Sequence, residues 1–280
     1  MHFTKYHALG NDYLVVEPAH LPSDLPGDWI ARVCDRQRGV GADGVLLGPL
    51  TAANGTVAVR IFNPDGSEAE KSGNGLRIFA RYLRDTNRAG DVPFAVETIG
   101  GTVTCCVHDD GRTVTVAMGR VSFHNRDIPV SGPPREVLNE EISAGGRSFR
   151  FSAATIGNPH CVVFVDAQSA ALAQKFGPVI ERDPRFPNRT NVQFVRVVDR
   201  SSLRMEIWER GAGYTLASGS SSCAAAAVAH RLGLCGADVA VTMPGGTLHV
   251  AIDDDWSATL TGPVTRVCSG EIDPVVYNRG

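Results

Sequence analysis

The chain has 280 residues, of which 43% are hydrophobic and 20% charged, a composition typical of a globular protein with a substantial core. The net charge of −3 argues against a general nucleic-acid surface, and no apolar run reaches the roughly 20 residues of a membrane helix. The seven cysteines show no C-x-x-C spacing, so neither a disulfide framework nor a metal site is predicted. Because no apolar leader follows Met1, we expect a cytoplasmic protein with a small-molecule ligand and no membrane partner.

Alternation and β-branched content predict a strand-rich chain with two marked helices in each half. The first half has predicted strands over 13–16, 57–62, 102–107 and 113–117, and helices over 29–36 and 75–85. The second half has predicted strands over 161–165, 191–198, 203–208, 247–252 and 258–261, and helices over 168–176 and 221–232. The Pro- and Gly-bearing stretch 131–146 is the predicted linker between two domains, 1–130 and 147–280.

The two halves repeat the same landmarks at an offset of about 146 residues. Asn63 stands nine residues before Ser72, and Glu209 stands nine residues before Ser218. Two further pairs keep the offset, namely Gly10-Asn11 with Gly157-Asn158 and the Gly-Gly-Thr at 100–102 with that at 245–247. Four landmarks in the same order indicate duplication of a whole domain. Such a duplication can bring two equivalent loops to opposite sides of one substrate.

A loop of small residues precedes one predicted helix in each half. The loops are Ser72-Gly73-Asn74-Gly75 and Ser218-Gly219-Ser220-Ser221. The first N–H groups of a helix have no internal partners, and the helix dipole favours negative charge there. Each loop alone would suit an ordinary N-cap, but two equivalent helix ends favour a site that holds a carboxylate.

Five longer segments resemble those of the diaminopimelate epimerases, which are amino-acid racemases that need no pyridoxal phosphate. They are HALGNDY at 7–13, GVGADG at 39–44, FNPDGSE at 62–68, GNPHC at 157–161 and WERGAG at 208–213. The resemblance runs from Phe3 to the end of the chain and implies an α+β fold of two pseudo-symmetric domains. Each domain would be an antiparallel sheet or barrel around a central helix, with the active site in the cleft between them. It also implies an enzyme without a cofactor, in a possible homodimer.

The same resemblance implies two-base catalysis, in which one thiolate removes the α-proton and a thiol on the other face returns one. The family's two catalytic cysteines fall on Ser72 and Ser218, and the polar residues that support them fall on His160 and Glu209. A hydroxyl is far less acidic than a thiol, whose pKa is about 8.5, so serine is a poor general base. The implied substrate-binding residues are Asn11, Asn63, Gly73, Asn74, Asn158, Asn191, Arg210, Gly219 and Ser220.

Two explanations of the serines are open. The chain is either an engineered double Cys-to-Ser form that holds substrate without turnover, or a natural relative that has abandoned thiol chemistry. Loss at two symmetric positions, with the surrounding residues retained, favours the engineered form. In both cases we expect an isomerase that is inactive or very slow as written.

Tyr214 stands where the family commonly has a glutamate, and this departure bears on specificity. Loss of a carboxylate near the site favours a substrate with a neutral tail. We therefore predict an O-ureidoserine racemase, an antibiotic-biosynthesis enzyme of D-cycloserine production. The alternative is a diaminopimelate epimerase of lysine and peptidoglycan biosynthesis, which retention of Arg210 and the asparagines favours. A phenazine-type isomerase and a non-catalytic amino-acid binding protein are two further alternatives.

Overall fold

The computed structural model describes residues 1–22, 27–108 and 111–277. Along the chain the elements are β1 (His2–Ala8), β2 (Asn11–Val16), α1 (Trp29–Cys34), β3 (Val45–Thr51), β4 (Val57–Phe62), β5 (Glu68–Ala69), α2 (Gly73–Asp85), β6 (Phe94–Thr98), β7 (Gly101–Val107) and β8 (Thr113–Arg120). They continue with β9 (Glu140–Ala144), β10 (Arg147–Thr155), β11 (Pro159–Phe164), α3 (Ala170–Glu181), β12 (Asn191–Asp199), β13 (Ser202–Glu209), β14 (Gly213–Thr215), α4 (Gly219–Arg231), β15 (Asp238–Met243), β16 (Gly246–Ile252), β17 (Ser257–Pro263), β18 (Thr265–Glu271) and α5 (Pro274–Tyr277). A short 3-10 helix covers Pro18–His20. The predicted α+β class is confirmed.

The chain divides into two compact units. Unit 1 combines Met1–Val116 with Gly262–Gly280, and unit 2 spans Ala117–Thr261. In unit 1 the strands pair in the order β18-β1-β2-β3-β4-β6-β7, and in unit 2 in the order β9-β10-β11-β12-β13-β15-β16. In the described part of the chain, no helix is long and apolar enough to cross a membrane.

Each unit places one helix against the inner face of its sheet. In unit 1, α2 buries the side chains of Leu76, Ile78 and Phe79 completely. In unit 2, α4 buries every residue from 221 to 229, most of them alanines. Burial of apolar surface of this extent is the main term that stabilises each unit. It also fixes where each helix begins.

The duplication extends to the backbone conformation of these two helices. Both have 13 residues, and the residue before each is extended, with φ/ψ of −141°/116° at Ser72 and −145°/124° at Ser218. Both are followed by a residue in the left-handed region, Asn87 at φ 56° and Gly233 at φ 71°. A left-handed residue closes the last turn of a helix. The repeat seen in the sequence is therefore a repeat of local structure.

The unit boundaries differ from the predicted domains, 1–130 and 147–280. The predicted linker, 131–146, carries strand β9 and buries Val137 and Ile142 in the core of unit 2. In unit 1 the strand beside β1 is β18, which comes from the end of the chain. The prediction was wrong here because Pro and Gly mark turns, and the sequence does not show that the last strand returns to the first unit.

Gly177 lets helix α3 approach strand β13 of unit 2. A Cβ added at Gly177 would lie 2.5 Å from both Cβ and Cγ of Trp208. The indole Nε1 of Trp208 donates to Glu181 Oε2 at 2.7 Å, which holds the ring in place. The contact leaves no room for a side chain at position 177.

We predict that Gly177→Ala destabilises the protein by about 1–3 kcal/mol, because overpacking outweighs the better helix propensity of alanine. Urea unfolding at pH 7 measures the difference. The control is Gly90→Ala, where an added Cβ meets no atom within 4 Å. A more stable Gly177→Ala variant would show that α3 has room to move away from Trp208.

Candidate active site

Ser72 begins helix α2 and caps it. Its Oγ accepts a hydrogen bond from the Gly75 backbone N–H at 3.0 Å, and Tyr13 Oη lies 3.3 Å from the same atom. Tyr13 comes from β2, so the sheet and the helix meet at this hydroxyl. The cap satisfies one of the free N–H groups of the helix and fixes the direction of the Ser72 side chain.

Asn11 and Asn74 form the polar surroundings of this helix end. Asn74 Nδ2 donates to Asn11 Oδ1 at 3.0 Å, and Asn74 Oδ1 accepts from the buried Arg77 at 2.8 Å. Asn11 Nδ2 in turn donates to Asp43 Oδ2 at 2.9 Å. Both amides are therefore oriented by defined partners, and the structure brings Asn11, Asn74 and the start of α2 together as predicted.

An ion-pair network next to Asn11 escaped the sequence analysis. Arg36 bridges Asp12 and Asp43 at 2.7 and 2.6 Å, and Lys5 lies 2.9 Å from Asp12. Burial alone would raise the pKa of Asp12, but the hydrogen bonds from Arg36 and Lys5 outweigh it and hold the pKa at about 2. Asp12 is thus a carboxylate at all ordinary pH values, and the network anchors Asn11.

Asn63 lies in the turn between β4 and β5. It is the fourth predicted binding residue of unit 1, after Asn11, Gly73 and Asn74. Its Nδ2 donates to Ser67 Oγ at 3.0 Å, and Gly66 in the same turn has φ 86°. Asn63 therefore belongs to a different hydrogen-bonded group from Asn11.

Ser218 begins helix α4 in the same backbone conformation but does not cap it, since its side chain makes no cap hydrogen bond. Its backbone N–H donates to Met243 Sδ at 3.5 Å, and Ser222 Oγ donates to the Ser218 carbonyl at 2.8 Å. The side chain of Ser218 is only 4% exposed. The two equivalent serines therefore differ in what their hydroxyls do.

His160 and Asn158 lie beside the first turn of α4. Asn158 Oδ1 is 2.9 Å from His160 Nε2, and Asn158 Nδ2 donates to Ser220 Oγ at 3.4 Å. Burial, helped by the positive charge of Arg210, lowers the pKa of His160 from 6.5 to about 3. His160 is therefore neutral at pH 7 and does not serve as a positively charged group.

Asn191 and Arg210 are joined through the backbone. Asn191 Nδ2 donates to the Pro159 carbonyl at 3.0 Å, and Asn191 Oδ1 accepts from the Arg210 N–H at 2.9 Å. The Arg210 guanidinium donates to the Asn188 carbonyl at 3.1 Å and is exposed. Asn191 thus fixes the backbone that carries Arg210, whose guanidinium has the geometry for a carboxylate.

Glu209 and Tyr214 lie on the hairpin of β13 and β14. Glu209 is the last residue of β13, pairs with Gly213 and is half-buried. Tyr214 Oη donates to Glu206 Oε2 at 2.7 Å, and its ring packs on the apolar cluster of unit 2. These contacts account for Tyr214 without a ligand, so the argument for a neutral substrate tail has no structural support from this residue.

Four buried cysteines do not supply the thiols that the resemblance implies at positions 72 and 218. Burial raises the pKa of Cys34 and Cys105 to about 12 and that of Cys235 to about 11. Burial also raises the pKa of Cys161. Such thiols are not ionised at neutral pH. Among the described residues, no group of three His, Cys, Asp or Glu side chains is placed to hold a metal ion.

The family model for diaminopimelate epimerase matches residues 3–124 and 152–267. The chain is 55% identical to diaminopimelate epimerase 2 of Nostoc sp., over 99% of this chain and 97% of that protein. It is 41% identical to the diaminopimelate epimerase of Pelotomaculum thermopropionicum, over 97% and 98%. The chain belongs to the diaminopimelate epimerase family. That family places it among the isomerases.

Solved structures of low sequence identity share the fold. A hydroxyproline epimerase from Agrobacterium vitis matches with a TM-score of 0.71 at 18% identity, over 98% of this chain and 94% of the other. A probable proline racemase from Agrobacterium radiobacter K84 matches with a TM-score of 0.73 at 16% identity, over 100% and 96%. A phenazine biosynthesis protein of the PhzF family from Bacillus anthracis matches with a TM-score of 0.67 at 15% identity, over 96% and 98%. At these identities the likeness shows the fold of the diaminopimelate epimerase family and no more.

We predict that the two serines contribute differently to stability. Ser72→Ala removes a cap hydrogen bond and should cost about 1 kcal/mol, whereas Ser218→Ala removes none and should cost less than half of that. Urea unfolding at pH 7 compares the two variants with the parent, and each variant serves as the control for the other. Equal losses would contradict the difference between the two hydroxyls.

We also predict that His160 makes the protein less stable as the pH falls. Its folded pKa is about 3, while its unfolded pKa is 6.5. The contribution of neutral His160 to the free energy of unfolding is therefore complete above about pH 6.5. It decreases as the pH falls toward 3, by at most about 1.4 kcal/mol per pH unit. Urea unfolding between pH 7 and 4.5 should show a flatter dependence for His160→Gln than for the parent. His249→Gln, a change at an exposed histidine, should keep the parent's slope.

Proposed function

We propose that this chain binds a diaminopimelate-type amino acid and acts as a cofactor-independent epimerase whose proton transfer is slowed by serine at both base positions. The observation that carries the proposal is the pair of helix starts at Ser72 and Ser218. They share length, backbone conformation and asparagine neighbours, while the groups that would exchange the α-proton are hydroxyls.

The residues around each helix start, Asn11 and Asn74 at α2 and Asn158 and Arg210 near α4, are here called the half-sites. They supply what the reaction needs apart from the bases. Removal of an α-proton leaves negative charge on the substrate carboxylate, and free helix N–H groups stabilise such charge. Asn74 in the first turn of α2 and Asn158 beside the first turn of α4 have amides fixed by hydrogen bonds. Arg210 is exposed and suited to a second carboxylate. A serine hydroxyl, however, is protonated at pH 7 and removes an α-proton poorly.

The substrate favoured by these observations is diaminopimelate rather than O-ureidoserine. The relatives at 55% and 41% identity are named diaminopimelate epimerases. The one feature that favoured a neutral tail was Tyr214, whose hydroxyl is bonded to Glu206. A role in antibiotic biosynthesis therefore stays a competing hypothesis, which the substrate comparison below tests.

A non-catalytic amino-acid binding protein is the competing class of function. It shares the half-sites and differs only in whether the α-proton of the ligand exchanges with solvent. Serine at both positions favours it, whether the serines are engineered or natural. The phenazine-type alternative is supported by fold alone, whereas the family match covers most of the chain. A cytoplasmic homodimer also remains a proposal, which light scattering on the purified protein tests.

We predict that the chain binds meso-diaminopimelate in calorimetry but exchanges its α-proton very slowly in D2O. The double change Ser72→Cys and Ser218→Cys should raise the exchange rate about 100-fold or more, because a thiol ionises near working pH. NMR of the substrate α-proton measures the rate. The control is Ser143→Cys with Ser201→Cys, two exposed serines on different hairpins that gain the same thiols. Equal rates for the parent and the Ser72/Ser218 double variant would contradict the two-base assignment.

We predict that the same double-cysteine variant prefers meso-diaminopimelate to O-ureidoserine by a factor of at least ten in exchange rate at limiting substrate. This corresponds to about 1.4 kcal/mol in the transition state. Tyr214→Phe should leave the preference unchanged, since it removes only the hydroxyl bonded to Glu206. A preference for O-ureidoserine, lost in Tyr214→Phe, would restore the neutral-tail hypothesis.

A further inference from the structure

Gln193 is a fully buried amide in the middle of strand β12, between the apolar residues Val192 and Phe194. Its Nε2 lies 3.1 Å from His160 Nδ1 and donates to Ser221 Oγ at 3.0 Å. Its Oε1 is buried and accepts no hydrogen bond from any residue that the structure describes. Both N–H groups of the Gln193 amide therefore have an acceptor, whereas its carbonyl oxygen has no donor.

This arrangement fixes the proton on His160. An amide nitrogen can only donate, so His160 Nδ1 must accept and carries no proton. A neutral imidazole has one proton, which is then on Nε2 and is donated to Asn158 Oδ1 at 2.9 Å. With its carbonyl held by His160, Asn158 directs its Nδ2 toward Ser220 in the first turn of α4.

The reversed arrangement is less favourable. If the Gln193 amide were turned over, its carbonyl could accept from both His160 Nδ1 and Ser221, but its NH2 group would be buried with two unpaired donors. The observed orientation leaves a single unpaired acceptor. Each buried polar group without a partner is costly, so the observed orientation is preferred. Reversal would also move the His160 proton to Nδ1 and turn the Asn158 carbonyl toward α4.

We infer that Gln193 is a positioning residue, which holds the His160 proton on Nε2 and thereby turns an N–H of Asn158, rather than its carbonyl, toward the start of α4. An anionic ligand group at this helix end then meets donors only, namely the helix N–H groups and the Asn158 amide. The role of Gln193 in orienting His160 and Asn158 does not depend on any ligand. Only the choice of a carboxylate ligand rests on the proposed function.

The first test needs no ligand. Gln193→Leu removes the N–H that His160 Nδ1 accepts, so the ring is no longer held with its proton on Nε2. Nitrogen-15 NMR of the histidine rings at pH 7 reports which nitrogen is protonated, and loss of the signal in His160→Gln assigns it. We expect the Nε2-protonated neutral ring in the parent and a mixture of the two neutral tautomers in Gln193→Leu. Gln174→Leu, the same change at an exposed site, should keep the parent's signal.

The second test is the affinity for meso-diaminopimelate, measured by calorimetry. The Nδ1-protonated ring turns the Asn158 carbonyl toward the ligand, so Gln193→Leu should raise Kd about twofold or more, in proportion to the population of that ring, and Gln174→Leu should leave it unchanged. Gln193→Met, an unbranched side chain without an N–H, carries both tests if the leucine variant does not fold.

The outcomes separate this inference from the proposed function. A His160 ring that keeps its Nε2 proton alone in every Gln193 variant overturns the inference. A moved proton with unchanged affinity also overturns it, because Asn158 would then not be positioned for the ligand. A moved proton in a parent that binds no diaminopimelate supports the role of Gln193 and contradicts the proposed function.

Discussion

The first backbone N–H groups of α2 and α4, which have no acceptor within their own helix, are the constraint on which the rest of the structure depends. Each helix is the buried central helix of its unit, so its first turn lies within protein rather than in water. Buried donors need partners, and a ligand carboxylate is one of the few groups that satisfies several at once.

The two units satisfy this constraint by different means. In unit 1 the start of α2 is closed by Ser72 itself, and the neighbouring Asn11 is held by the charged group of Asp43, Arg36 and Asp12. In unit 2 Ser218 does not cap, and the neighbouring Asn158 is held by neutral, fully buried groups. Divergence after duplication has thus kept the backbone and changed the electrostatics of the two helix ends.

That difference bears on how firmly each helix end is held in one hydrogen-bonded arrangement. A charged network resists reorientation because each charge fixes its partner, whereas a neutral amide network can exist in two hydrogen-bonded states. Gln193 is the group that selects one state in unit 2. The orientation of Asn11 and Asn158 therefore depends on the groups behind them, and the sequence does not show which of those groups contact which asparagine.

The sequence alone determined the class of fold, the duplication and the two helix starts at Ser72 and Ser218. Small residues before a periodic segment report directly on a helix start, which is why Ser72, Ser218 and their neighbours were found. The last strand, β18, could not be assigned to unit 1, because strand pairing over more than 250 residues leaves no local signal. The partners of Asn11 and Asn158 were also decided only by tertiary structure. Asp43 and Gln193 acquire their roles from the strands and loops that fold against them, and the one hint was a glutamine within an apolar strand.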